Sequence, residues 1–172
     1  RGQAMPVNEF QMLKYALRHD FMSFADRGVR QITQGGSFQH NWHLDAICWE
    51  LMKVMSGETK RLIINLPPRS LKSLMASVLF PAFWLGRDPR KKIFGISYGG
   101  ELAAKHARDC QLVMQSNWYR TAFPDTRISR IADSSIYTDK QGLRKATSIN
   151  ATLTGLGGDC FIVDDPLKPI DA

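Results

Sequence analysis

The sequence has no apolar run of about 18 residues or more, which excludes a helical membrane span. Its start, Arg1-Gly2-Gln3-Ala4-Met5-Pro6, is not followed by the apolar core that a signal peptide needs. Cysteine is scarce. Cys48, Cys110 and Cys160 show no C-x-x-C spacing and all fall on apolar faces, as reduced, buried thiols of a cytosolic protein do. Acidic residues are outnumbered, 16 Asp and Glu against 23 Lys and Arg, for a net charge of +7. That balance favours a polyanionic partner, nucleic acid or nucleotide, although many basic domains bind neither. Internal repeats and low-complexity stretches are also missing.

What is present fits one packed domain. The chain has 172 residues and is 44% hydrophobic, enough for a core. Phe10, Leu13, Leu17, Phe21 and Phe24 make one apolar stripe, so residues 7–27 read as a helix and glycine-rich 28–40 as a linker. Asn41 reads as the N-cap of a helix with Leu44, Ile47, Cys48, Leu51, Met52 and Met55 on one face. A strand is expected over Arg61–Leu66, then a helix from Ser70 or Leu71 to Leu85 that Pro81 should bend or divide. A second strand (Lys91–Ser97) and a second amphipathic helix (Glu101–Gln115) follow. Residues 117–126 read as irregular. Short strands are expected near Ile128–Ile131, Ser135–Asp139 and Ala146–Asn150, and a last one over Cys160–Val163. Strands alternating with helices make an α/β open sheet with parallel strands. Ligands bind such sheets at the carboxyl ends of the strands.

The informative stretch is Leu62 to Leu79. A buried strand, a tight turn and an apolar helix opening at Lys72-Ser73 have the layout of a phosphate-binding loop, G-x-x-x-x-G-K-S/T. The glycine positions hold Leu66 and Leu71, so the pattern is poor while its context is good. Asp164-Asp165, closing an apolar strand, is the acidic side of the same chemistry. Phosphoryl transfer needs positioned positive charge, a metal and an aligned nucleophile. N–H groups of Pro68-Arg69-Ser70-Leu71-Lys72-Ser73, proline excepted, would cradle phosphate oxygens at a helix start. Lys72 would reach the β- and γ-phosphates of ATP, and Ser73 with Asp164 would hold Mg²⁺. Asp165 would orient the attacking water, and Arg69 would add charge near the γ-phosphate. Pro67 and Pro68 lack an N–H, and Leu71 stands where the loop path demands positive φ, a strain of about 1–3 kcal/mol. The plain alternative is a solvated lysine at a helix start and an acidic turn at a strand end.

Two other motifs fail. Gly95-Ile96-Ser97-Tyr98-Gly99 matches a hydrolase nucleophile elbow, but the only later histidine is His106, too early for the required Ser, acid, His order. His106 itself reads as a core-edge residue. Gly155-Leu156-Gly157-Gly158 precedes a strand, whereas a dinucleotide fingerprint follows one.

Four blocks together resemble the ATPase region of the large terminase subunit of tailed phages and prophages, the motor that packages DNA. They are Asn41 to Ile47; Leu66-Pro67-Pro68-Arg69-Ser70-Leu71-Lys72-Ser73; Ser97-Tyr98 with Leu102-Ala103; and Leu153 to Asp159 running into Ile162-Val163-Asp164-Asp165-Pro166. The resemblance spans residues 38–171. It implies a P-loop NTPase of the additional-strand type, with residues 1–40 an N-terminal helical segment and linker and 41–172 the ATPase core. It also implies cytoplasmic location in a bacterial host, a homo-oligomeric ring on double-stranded DNA, and a small terminase subunit and portal protein as partners.

By the same resemblance, Gln39 to His43 would contact adenine and an arginine would reach a neighbour's ATP, with Arg144 the candidate. Lys91, Lys92, Arg127, Arg130, Lys140 and Lys145 would face the DNA backbone, or simply water. In that class a later strand inserts between the loop-bearing strand and the acidic strand. This chain ends before it and lacks the family's nuclease domain, as a fragment or a decayed prophage product would. The alternatives are a catalytically silent nucleotide- or DNA-binding remnant and a helicase-like DNA-dependent ATPase.

Overall fold

The computed structural model describes residues 8–36, 38–132, 134–151 and 157–167. The expected N-terminal helix is two helices, α1 (Glu9–His19) and α2 (Phe21–Ile32). They part at Asp20, which is extended (φ −110°) and whose carboxylate accepts the Ser23 N–H at 2.8 Å, a local N-cap that competes with helix continuation. The linker expected over 28–40 therefore begins later. Gly28 lies within α2, where a Cβ would collide with the Leu79 side chain, so its lack of a side chain lets α2 approach the next layer.

Helix α3 (Trp42–Ser56) starts at Asn41 as expected, but the Asn41 side chain makes no capping bond. It stops at Gly57 in the left-handed conformation. The strand expected over Arg61–Leu66 is not formed. The segment is extended and alternates, with Leu62, Ile64 and Leu66 half-buried and Arg61, Ile63 and Asn65 exposed, yet no described strand pairs with it. Side-chain alternation is local, whereas a ladder needs a partner, and none lies alongside.

After one turn at Lys72-Ser73 the backbone widens to a π-helical segment (Leu74–Leu79) and tightens again into α4 (Phe80–Arg87). The break adjoins Pro81, which lacks the N–H that an α-helix would give to the Ser77 carbonyl. Strand β1 (Lys92–Ser97) and α5 (Gly100–Gln115) follow. Residues 117–122, read as irregular, are instead the short helix α6 (Asn117–Ala122), whose N-cap Ser116 accepts the Tyr119 N–H. Next come β2 (Ile128–Ala132), β3 (Ser135–Thr138), β4 (Leu143–Ser148) and β5 (Cys160–Asp164).

The five strands form one sheet in the order β2-β3-β4-β1-β5. β1 runs parallel to both β4 and β5, whereas β2, β3 and β4 are joined antiparallel. The protein is thus a mixed α/β fold with helices against its sheet. Helix α5 lies on β1, β3 and β4, and the π segment lies on β5. Phe21, Phe24, Phe83, Tyr119 and Phe123 interlock at ring separations of 5.0 to 6.4 Å and tie α2, α4 and α6 into one core. No described helix is long and apolar enough to cross a membrane.

Strand β5 is a sheet edge. Beyond it a groove of about 1000 Å³ separates it from the extended segment 61–65. Half-buried Leu62, Ile64, Cys160 and Ile162 line it with Phe80 and Trp84.

Candidate functional site

The register of β1 and β5 places Ser97 opposite Asp164, so the acidic pair leaves the sheet at the carboxyl ends of two parallel strands. The π segment packs on β5 there and, with the turn before it, brings two hydroxyls, four residues apart, onto one carboxylate. Ser73 Oγ donates to Asp164 Oδ1 at 3.1 Å, across 91 residues of sequence, and Ser77 Oγ donates to Oδ2 at 3.1 Å. From α5, His106 Nδ1 stands 3.7 Å from the same Oδ2. Asp164 is only 9% exposed, so these contacts stand in for lost water. Burial holds the His106 imidazole below its usual pKa. Asp164 pulls the other way, but Arg144 and Lys105 add to the burial effect, and the ring facing the carboxylate stays neutral at pH 7.

Lys72 is folded back toward the segment that precedes it. Its ammonium donates to the Leu66 carbonyl at 3.3 Å and lies 3.6 Å from Asp165 Oδ1. The loop beside it is contorted as the sequence implies. Leu71 has φ +64°, Arg69 φ +65° and Asp165 φ +45°. Side chains in the left-handed region cost roughly 1–2 kcal/mol each, so the loop conformation is held by its surroundings. His43 Nε2 is 3.2 Å from the Ser70 carbonyl, which fixes the start of α3 against the loop. Gln39 is exposed, and His40 is occupied with Asp45 at 2.8 Å.

A cleft of about 770 Å³ opens over the loop. Residues 68–74, Tyr98, Lys105, His106, Asp109 and Asp165 bound it. Ser70 Oγ is buried without a hydrogen-bond partner among the described residues. An orphaned donor in a loop with two cationic side chains suits an anion. Ser73 and Asp164 present the hydroxyl and carboxylate that a hard cation prefers. No group of three or more His, Cys, Asp or Glu side chains is gathered among the described residues. Magnesium shared with phosphates needs only one or two protein ligands. The residues therefore fit a magnesium–phosphate group, with the two prolines and the strained Leu71 as the points of poor fit.

Arg144 is not where a trans-acting arginine must be. It is 1% exposed, enclosed behind the π segment with Gly95 beneath its guanidinium, and cannot extend to a neighbouring subunit. Strand alternation turns it inward together with Ala146. Of the basic residues weighed for DNA contact, Lys91 pairs with Asp159 at 3.3 Å and Arg130 stacks over the Tyr137 ring at 4.9 Å. Arg127 and Lys140 are exposed. Of the fourth block, residues 153–156 lie outside the described residues.

Ser77 was not singled out by sequence reasoning, and His106 was read only as a core-edge residue. Ser77 carried a usable signal: at i+4 from Ser73 it shares that residue's helix face. His106 had none, because only the tertiary packing of α5 on β1 and β4 brings it to Asp164.

Comparisons with family models, with curated proteins and with solved structures found no match.

Proposed function

We propose that the cleft binds ATP with Mg²⁺, that the fold is of the P-loop type, and that the chain is the ATPase part of a DNA-packaging motor of the terminase kind. The observation that carries this reading is the meeting of Ser73 and Asp164 beside Lys72, since a hydroxyl, a carboxylate and a lysine at one helix start are the minimal set for phosphoryl transfer. Residues 69–73 cradle the phosphates, with Ser70 Oγ supplying its free hydrogen bond. Lys72 leaves the Leu66 carbonyl to meet phosphate oxygens, and Arg69 adds positive charge. Asp165, released from Lys72, orients the attacking water. Asp164 and Ser73 would hold a magnesium ion, whose charge would offset that of the phosphates. His43 links the loop to the Gln39–His43 segment, the adenine side in the proposed family. The groove between residues 61–65 and β5 is the place for the inserted strand of that class.

The second reading is a remnant that keeps the residues without turnover. What favours it is the loop itself, with Leu71 and Arg69 both at positive φ and Lys72 turned onto the chain. Phosphate release from ATP, with and without double-stranded DNA, on this protein and Asp165→Asn separates the two. The motor reading expects DNA-stimulated release that Asp165→Asn reduces by about a hundredfold or more. Tight binding without release would leave the remnant.

A further inference from the structure

A buried guanidinium costs more than a hydrocarbon of the same length, unless something needs its charge or its donors. Arg144 is fully enclosed, yet its Nε and one terminal nitrogen have no hydrogen-bond partner among the described residues. The other terminal nitrogen donates to the Ser77 carbonyl at 3.1 Å. That carbonyl is the one an α-helix would pair with residue 81, and residue 81 is proline. Arg144 thus supplies, from β4, the donor that Pro81 lacks. The residue it holds is also the one whose hydroxyl donates to Asp164.

We infer that Arg144 is a positioning residue for Asp164, acting through Ser77. Its hydrogen bond fixes the π segment at the pitch that aims the Ser73 and Ser77 hydroxyls together at the carboxylate. Pi-helical segments recur at functional sites, where they re-aim side chains in this way. Gly95 leaves room for the guanidinium, since a Cβ there would stand 3.3 Å from its terminal nitrogen. The inference rests on the reading of the cleft as a magnesium–phosphate site.

The test uses four proteins: the wild type, Arg144→Met, Pro81→Ala and the double variant. Affinity for the slowly hydrolysed analogue ATPγS is measured by calorimetry in Mg²⁺ and in EDTA, and melting temperature is measured without nucleotide. Groups that orient a metal's ligand typically change metal affinity ten- to a hundredfold. Arg144→Met should therefore lose about tenfold of the gain that Mg²⁺ gives and leave the affinity in EDTA unchanged. Pro81→Ala gives the Ser77 carbonyl a backbone N–H, so the double variant should recover most of that loss. The melting temperatures should be non-additive by about 3 °C, with Arg144→Met costing less in the Pro81→Ala background. Equal losses in Mg²⁺ and EDTA, or no recovery in the double variant, overturn the inference. If the wild type binds no nucleotide, the magnesium–phosphate reading fails. The melting temperatures then decide alone: non-additivity keeps the Arg144–Ser77 link and additivity removes it.

Discussion

The backbone at Leu71 offers a test that needs no ligand. Leu71 sits at φ +64°, where any side chain with a Cβ costs roughly 1–2 kcal/mol. Replacing leucine changes two things at once, because the side chain is also half-buried against the core. Comparing Leu71→Gly with Leu71→Ala removes that second effect, since both lose nearly the same contacts. Glycine is then relieved of the strain of about 1–2 kcal/mol and loses about 0.5–1 kcal/mol through its freer unfolded chain. The net is about 0.5–1 kcal/mol in favour of glycine. If residue 71 were an ordinary helical residue, alanine would win by about 1 kcal/mol. The two cases differ in sign. Urea unfolding reads this directly: with slopes of about 2 kcal/mol/M, the glycine variant should unfold at about 0.3 M higher urea. An alanine variant equal to or more stable than the glycine variant would refute the left-handed loop and the strain argued from it.

Other outcomes follow from burial. The three thiols should resist modification, because burial pushes Cys48 up to about 12 and Cys110 and Cys160 up to about 11. An aromatic disulfide reagent at pH 8 should label none of them within minutes, then all three in urea; a fast-reacting thiol in the native protein would contradict this. His106 is held below its ordinary value of 6.5. Below that pH the unfolded chain takes up a proton that the folded one refuses, so the contribution is full above 6.5 and is lost as pH falls through the folded value. The melting temperature should drop on acidification below 6.5, and His106→Gln should flatten that part of the profile. An unchanged slope would remove His106 as its source.

Local pattern was legible and pairing was not. Helices α3 and α5 and strands β1 and β5 lie within a residue or two of their expected limits, because each carries its own periodicity. Lys72 and Asp164-Asp165 were expected to converge past strand ends; Lys72 lies 3.6 Å from Asp165 and Ser73 meets Asp164 at 3.1 Å, although the first of those strands does not form. The segment 61–66 shows the strand's two-residue alternation but lacks a ladder, since hydrogen-bonding depends on a neighbour that local sequence does not specify. Six-residue α6 is too short for a helical period, and its one readable cue was Ser116 as an N-cap. Arg144 was expected to reach a neighbour's ATP, and it is buried. Which face of β4 turns inward is set by the sheet, and either Leu143 or Arg144 would satisfy the alternation. The break at Pro81 was legible in sequence; the arginine that completes it was not.

The central claim is that the loop around Lys72 and the carboxylate of Asp164 form a working magnesium–phosphate site. The most direct measurement is calorimetry of ATP with Mg²⁺ on this protein and on Lys72→Ala in parallel. A charged hydrogen bond to phosphate is worth roughly 1.5–3 kcal/mol, so the account predicts binding that Lys72→Ala weakens by about tenfold or more. No heat of binding with either protein, or equal affinity in both, would contradict it.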